Sequence, residues 1–140
     1  MKGAYVIVLE VEKDCSLAVG ALGELHFRKG IYLYVGSAMN NLEKRTRRHL
    51  RKEKTLRWHI DYLTVSPFVN VRAVYFRESS RKEECEIAGL VAKHGTPVMG
   101  FGCSDCRCHS HLFQVSDEEF LKGTMKRFFG AQDSRLTLPF

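Results

Sequence analysis

The chain has 140 residues, of which 44% are hydrophobic. These values predict one domain with a single core, because two cores would each be too small to be stable. Lysine and arginine total 22 against 16 aspartate and glutamate, a net charge of +6, and residues 43–57 alone contain eight basic and two acidic side chains. The whole excess therefore lies in one segment, which excludes a uniformly basic coat and predicts a patch that faces a polyanion.

Other classes of protein are excluded by local composition. No apolar run approaches the roughly 20 residues that a membrane span needs, and the first residues lack the layout of a signal peptide. We therefore expect a soluble, cytoplasmic protein with no membrane partner. Five cysteines, an odd number in a chain long enough to fold without cross-links, argue against a secreted disulfide scaffold.

The N-terminal third predicts paired strands. Residues 5–9 are aliphatic or aromatic without polar alternation, which predicts a central strand that is buried on both faces. Extended segments at 25–27 and 31–35 are expected to pair with this strand as a hairpin.

Two helices are predicted next. Hydrophobic spacing takes a helical period over 40–54, and either Ser37 or Asn40 could cap this helix. The basic segment therefore lies mostly on a helix that begins close to the end of a strand. Residues 55–64 predict a second, short helix that ends before Pro67.

The remaining elements complete a small α+β domain. Alternation over 68–76 predicts a third strand, apolar spacing predicts a helix over 81–93, and 112–115 predict a short strand. Residues 116–119 have the pattern of a capping box, which predicts a last helix in a C-terminal region over 116–140. We expect a single domain over residues 1–140, with a mainly antiparallel central sheet flanked by helices.

Two tyrosines and the basic helix form the first candidate site. Tyr5 and Tyr34 each lie near a glycine, so their hydroxyls could face one shallow groove, or both could be sheet aromatics with hydroxyls at the rim. Arg45 and His49 are one helical turn apart. With an acidic residue from the helix over 81–93, they would supply the cation clamp, the activated water and the metal-binding carboxylate that phosphodiester cleavage needs. A solvated charged face is the alternative interpretation.

These residues resemble the motifs of the GIY-YIG nuclease family. The matching features are Gly3-Ala4-Tyr5, Tyr34-Val35-Gly36, an arginine nine positions after Gly36 and a glutamate on a later helix. Four ordered blocks resemble more narrowly its uncharacterised, largely archaeal DUF-123 branch: Tyr34–Ala38, Trp58–Leu63, Glu84–Ala88 and Gly100–Cys106. The resemblance covers a motif-bearing core over 3–115 and implies a GIY-YIG-like fold. Some members of this branch are fused to an endonuclease III-type glycosylase, which implies a role in DNA repair and a repair glycosylase as a partner.

The resemblance implies a role for each site residue. Tyr5 would act as the general base or hold the attacking water, and Tyr34 would support the groove and its water network. Arg45 would bind the scissile phosphate, with His49 one turn further along the helix. Because a phenol has a pKa of about 10, Tyr5 could act as a base at neutral pH only if nearby cations and a metal lower its pKa.

The resemblance also implies one divalent cation, Mg²⁺ or Mn²⁺, held by a glutamate. Glu86 is the preferred residue, because the apolar positions after it match those after the family glutamate, and Glu84 is the alternative. The interval of 29 positions between Tyr5 and Tyr34 is longer than is usual for the family. Residues 13–29 are therefore expected to form an inserted excursion of the hairpin.

The other basic residues of the segment are expected to contact the nucleic-acid backbone without base preference. They are Lys44, Arg47, Arg48, Arg51, Lys52, Lys54 and Arg57. His59 and Asp61 are secondary candidates, which could orient a phosphate or a water, or could form a hydrogen-bonded pair with each other.

A cysteine-rich segment forms a second candidate site. Cys103, Cys106, Cys108 and His111 are ligand types that zinc prefers, although structural zinc sites usually take their ligands from two separated segments. Three interpretations stay open: zinc bound by these four residues, reduced loop thiols, and a redox-active pair.

The leading hypothesis is a metal-dependent endonuclease that cleaves structured or damaged DNA, with RNA as the alternative substrate and the basic helix along the backbone. A non-catalytic nucleic-acid-binding module on the same fold would use the basic patch for affinity alone. A redox-sensing protein built around the cysteines would leave the basic helix unexplained.

Overall fold

The computed structural model describes residues 1–103 and 108–130. One sheet has six strands, which are β1 (Gly3–Val11), β4 (Gly30–Ala38), β5 (Val69–Glu78), β6 (Gly95–Pro97), β7 (Leu112–Val115) and β8 (Lys126–Gly130). Their order in the sheet is β6-β7-β4-β1-β5-β8, and every neighbouring pair is antiparallel. A separate hairpin contains β2 (Cys15–Ala18) and β3 (Glu24–Phe27), and the helices are α1 (Leu42–Leu50), α2 (His59–Thr64) and α3 (Glu84–Ala92). The α+β class and the antiparallel sheet flanked by helices are confirmed.

The central strand is β1, as its composition predicted. Its side chains alternate between the two faces of the sheet, so Ile7 and Leu9 belong to one buried cluster with residues of α1 and α2. Val6 and Val8 belong to a second buried cluster, on the other face, with residues of α3. Tyr5 shares the face of Ile7 and therefore points towards α1 and α2.

The predicted hairpin is correct for one of its two segments. β4 pairs with β1 along its whole length, from Gly3 opposite Ala38 to Val11 opposite Gly30. The segment 25–27 pairs instead with β2, because β4 and β5 already occupy both edges of β1. The β2–β3 hairpin is thus the excursion between β1 and β4 that the long tyrosine interval predicted.

The first two helices are shorter than their patterns predicted, because local side chains define their ends. The cap of α1 is Asn41, whose side chain accepts a hydrogen bond of 2.9 Å from the backbone of Lys44, rather than Ser37 or Asn40. Beyond Leu50, Lys54 folds back on the helix end and donates to main-chain carbonyls. α2 begins only at His59.

The helix predicted after residue 116 is wrong for 116–130, and 131–140 lie outside the described residues. A short 3-10 helix at Glu119–Gly123 is followed by β8, which pairs with the outer edge of β5. The edge of β5 offers unpaired backbone groups, and β8 satisfies them while Leu121 and Met125 enter the core cluster of α3. The capping-box pattern is a local turn instead, in which Asp117 accepts the backbone N–H of Glu119 at 3.0 Å.

Candidate functional site

A groove of about 500 Å³ opens at the end of the sheet where β1 begins and β4 ends. Parts of the fold that line it are the strands β1 and β4, the helix α1, the starts of α2 and α3, and the segment before β7. The side chains that bear on its chemistry are Tyr5, Tyr34, Arg45, Trp58, His59 and Glu84. The groove is therefore assembled from residues far apart in the sequence.

The two tyrosines lie on neighbouring strands and on one face of the sheet. Tyr5 is paired in register with Gly36, and Tyr34 with Ile7. A Cβ atom at Gly36 would lie 2.5 Å from both Cζ and the hydroxyl oxygen of Tyr5. The absent side chain thus makes room for the Tyr5 ring rather than for a ligand.

We expect Gly36→Ala to displace the Tyr5 ring and to destabilise the fold by about 1–3 kcal/mol, the usual cost of overpacking. The measurement is urea unfolding of the variant beside Gly89→Ala. A Cβ atom at Gly89, on α3, would meet nothing within 4 Å, and alanine favours the helix there. Equal or greater loss of stability in Gly89→Ala would contradict this prediction.

His49 lies beneath the tyrosine pair and is 1% exposed. Its Nε2 is 2.8 Å from the hydroxyl oxygen of Tyr5, and its ring is 6.0 Å from that of Tyr34. Burial, and next the charge of Lys54, lower the pKa of His49 to about 3. The imidazole is therefore neutral at physiological pH, and it can accept the hydroxyl hydrogen of Tyr5.

This buried neutral histidine predicts a stability that depends on pH. Because the pKa of His49 is lowered on folding, the unfolded state binds this proton more readily than the folded state. The contribution of neutral His49 to the free energy of unfolding is therefore complete above about pH 6.5 and is lost as the pH falls towards 3. We expect wild-type protein to lose on the order of 1 kcal/mol per pH unit between pH 6 and 4.

Urea unfolding at several pH values tests this expectation. His49→Gln should lower the pH slope, although His59, whose pKa burial also lowers, leaves part of it. His26→Gln, at an exposed position on β3, should leave the slope unchanged. A His49→Gln protein with the wild-type slope would show that this proton is not linked to folding.

The tyrosine hydroxyls are held in their neutral form. Burial raises the pKa of Tyr5 well above its ordinary value near 10, and the charge and hydrogen bond of Arg45 offset only part of this rise. Burial also raises the pKa of Tyr34. Without a bound cation both hydroxyls are therefore neutral, and a neutral Tyr5 hydroxyl can hold a water by hydrogen bonding.

Arg45 lies in the groove, and Trp58 fixes its position. The guanidinium of Arg45 lies 4.7 Å from the centre of the indole ring, and that of Arg48 lies 4.5 Å from it. Arg48 donates two hydrogen bonds of 2.8 and 2.9 Å to the buried carboxylate of Asp61. Arg48 is thus bound within the protein, whereas Arg45 and the Trp58 ring face the groove.

The buried carboxylate of Asp61 accepts hydrogen bonds from Arg48 and from the backbone at the start of α2. Burial would raise its pKa, but the hydrogen bonds from Arg48 and from the backbone amides of Trp58 and Arg57 outweigh burial, and the pKa is lowered. Asp61 is therefore a charged anchor for the start of α2. The predicted pairing of Asp61 with His59 is not formed, because His59 Nδ1 accepts the backbone N–H of Gly102 at 2.8 Å.

Two lysines of the basic segment donate hydrogen bonds within the fold. Lys52 donates to the carbonyls of Ser66 and Val69, and Lys54, whose side chain is 4% exposed, donates to those of Arg48 and His49. Both ammonium groups are therefore hydrogen-bonded within the protein and do not extend towards a DNA backbone. The basic residues of the segment with exposed side chains are Lys44, Arg47, Arg51, Lys52 and Arg57.

The acidic residue that the fold places in the groove is Glu84. Its negative charge acts on both Tyr5 and Tyr34. Glu86, the residue preferred from the sequence, is 57% exposed, does not line the groove, and forms an ion pair of 3.0 Å with Arg77. The Glu84 carboxylate in this groove suits a hard cation such as Mg²⁺, because Mg²⁺ is commonly held by one or two carboxylates together with substrate phosphates.

The helical spacing of α3 already indicated that Glu84, rather than Glu86, faces the sheet. The buried residues of α3 are Ile87, Ala88 and Val91, and Glu84 lies three, four and seven positions before them. It therefore continues the stripe that faces the sheet, whereas Glu86 lies off this stripe.

The segment before β7 forms part of the groove wall. Its Gly102 and His111 line the groove. Ligand atoms of His111, Cys108 and Cys85 lie within 4.8 Å of one another. Cys85, on α3, was not among the zinc ligands predicted from the sequence, because only the fold brings it to this segment. Cys103 lies outside the cluster, and Cys106 lies outside the described residues.

Comparison with known proteins identifies one family. The sequence model of a family described as "Domain of unknown function DUF123" matches residues 4–134. No curated protein and no solved structure matches the chain. Within the part of the chain that the structure describes, the helices are all too short or too polar to cross a membrane.

Proposed function

This chain belongs to the DUF123 family, and we propose that it is a metal-dependent endonuclease that hydrolyses phosphodiester bonds in structured or damaged DNA. The observation that carries the proposal is the convergence of two tyrosine hydroxyls, an arginine and a carboxylate in one groove. These groups come from β1, β4, α1 and α3 in turn. They are also the groups that the resemblance to GIY-YIG nucleases implies, with Glu84 in the place of Glu86.

Arg45 is the group that binds the scissile phosphate. Its guanidinium lies over Trp58 and donates to the carbonyl of Ser37 at 3.3 Å, so it is held in place before substrate arrives. A fixed cation that faces developing negative charge stabilises the transition state without having to reorganise. Trp58 is 37% exposed, so part of its ring remains available to a nucleotide base.

Tyr5 orients the attacking water. If its hydroxyl hydrogen is donated to His49 Nε2, the oxygen lone pairs face the groove and accept a hydrogen bond from water. His49 stays neutral, so it can serve as this acceptor. Tyr34 forms the adjacent wall.

Glu84 would hold a divalent cation. When bound, such an ion supplies positive charge that lowers the pKa of a water and stabilises the phosphoryl oxygens. The mostly exposed basic residues of α1 and the segment after it would attract the DNA backbone without reading bases, so the shape of the DNA would determine the substrate. A repair glycosylase remains the proposed partner, and the cytoplasm the proposed location.

A cleavage screen tests the proposal. Labelled branched, gapped, damaged and intact duplexes would be incubated with the protein and Mg²⁺ or Mn²⁺, with EDTA as the metal-free condition. We expect metal-dependent nicking of at least one structured substrate, and none from Glu84→Gln protein purified in the same way. Salt-sensitive binding without cleavage of any substrate would instead identify a non-catalytic nucleic-acid-binding module.

A further inference from the structure

Three metal-ligand side chains from two separate parts of the chain meet beside the groove. Cys85 lies in the first turn of α3, and Cys108 and His111 lie in the segment that leads into β7. We propose that Cys85, Cys108 and His111 bind one zinc ion. This site is distinct from the proposed Mg²⁺ or Mn²⁺ position at Glu84, because thiolate and imidazole ligands select zinc whereas a carboxylate oxygen suits the harder cations.

The distances fit a zinc site that needs only small movements. Zn–S bonds of about 2.3 Å and Zn–N bonds of about 2.0–2.1 Å place tetrahedral ligand atoms roughly 3.6–3.8 Å apart. Cys85 Sγ is 3.9 Å from His111 Nε2, and all three ligand atoms lie within 4.8 Å of one another. Closing the cluster on an ion therefore requires shifts of about 1 Å or less.

Two backbone hydrogen bonds hold His111 in place. Its N–H donates to the carbonyl of Phe101 at 2.8 Å, and its carbonyl accepts the N–H of Val35, on β4, at 2.9 Å. The His111 side chain is buried, while Cys85 is exposed. The cluster therefore has a rigid inner ligand and an outer side through which an ion can enter.

The location of the cluster gives the ion a structural role. Cys85 follows Glu84 directly, and Gly102 and His111 line the same groove as Glu84. Zinc at this cluster would join the start of α3 to the segment before β7. The ion would thereby fix the part of the groove wall that carries Glu84.

Zinc content tests the site without reference to nuclease activity. Protein purified without chelators would be measured by elemental analysis, and we expect about one zinc ion per chain. Cys85→Ser and His111→Asn should lose most of this zinc. Cys15→Ser, which alters a cysteine of the distant β2–β3 hairpin, should keep it.

Cobalt substitution of the wild-type protein gives a second measurement that needs no variant. Co²⁺ should produce the intense visible bands of tetrahedral coordination and an ultraviolet thiolate charge-transfer band. Wild-type protein with neither zinc nor these bands would overturn the proposal, as would a Cys85–Cys108 disulfide in its peptide map. Equal loss of zinc from Cys15→Ser and Cys85→Ser would also overturn it, since binding would then not depend on this cluster.

Discussion

Glu84→Gln is expected to reduce metal-dependent cleavage by about 10²- to 10⁴-fold, while Glu86→Gln leaves the rate within about threefold of wild type. The loss corresponds to the several kcal/mol of transition-state stabilisation that a catalytic metal supplies. Glutamine keeps the size of the side chain and removes the anionic oxygen that binds the cation. Glu84 lines the groove beside both tyrosines, whereas Glu86 is paired with Arg77 outside it.

The two variants form a matched pair, because they make the same change two residues apart on one helix. Single-turnover cleavage should be measured over a range of Mn²⁺ concentrations, with DNA binding measured in parallel. We expect both variants to bind DNA as tightly as wild type. If Glu86→Gln were slow and Glu84→Gln were near wild type, Glu86 would be the metal ligand. If both variants cleaved at the wild-type rate, neither carboxylate would be a metal ligand.

Arg45→Ala is the second large effect, with an expected loss of about 10²- to 10³-fold in the cleavage rate at saturating DNA. The guanidinium lies over Trp58 and donates to the carbonyl of Ser37 at the groove, so its removal takes away a cation already positioned for the scissile phosphate. Arg45→Lys should recover only part of the rate, because an ammonium neither stacks on the indole nor contacts phosphate in the bidentate manner.

Arg47→Ala is the control for Arg45→Ala. Arg47 is exposed and lies two residues further along α1, so its substitution should weaken DNA binding and lower the salt slope by about one. The cleavage rate at saturating DNA should be unchanged. If the two variants lose the same amount of affinity and rate, Arg45 is part of the general backbone contact and has no special position.

The strands were predicted well where composition alone determines burial. Residues 5–9 became the buried centre of the sheet, and 112–115 became β7 with the same bounds. The C-terminal helix was predicted wrongly because its local pattern competed with the open edge of β5, which is not visible in the sequence of 116–130. Pairing with an existing edge supplies a full set of backbone hydrogen bonds, and this outweighed a local capping pattern.

Some site residues could likewise be predicted from the sequence, and others could not. Tyr5, Tyr34, Arg45 and His49 were identified from short motifs, and the structure brings all four together. Asp61 was a secondary candidate that could orient a phosphate or a water or pair with His59, but the fold uses it to hold Arg48. Which member of a charged cluster faces ligand depends on which partners are near, and helical spacing alone does not report those partners.

Sequence by itself determined the basic segment at 43–57, the tyrosine motifs and the α+β class, because each depends on residues close together in the chain. Only the tertiary structure decided that Glu84 faces the groove, that Lys52 and Lys54 are used within the fold, and that Cys85 joins Cys108 and His111. Each of these outcomes depends on contacts between distant segments. Such contacts follow from burying two faces of one sheet at once, which no short stretch of sequence specifies.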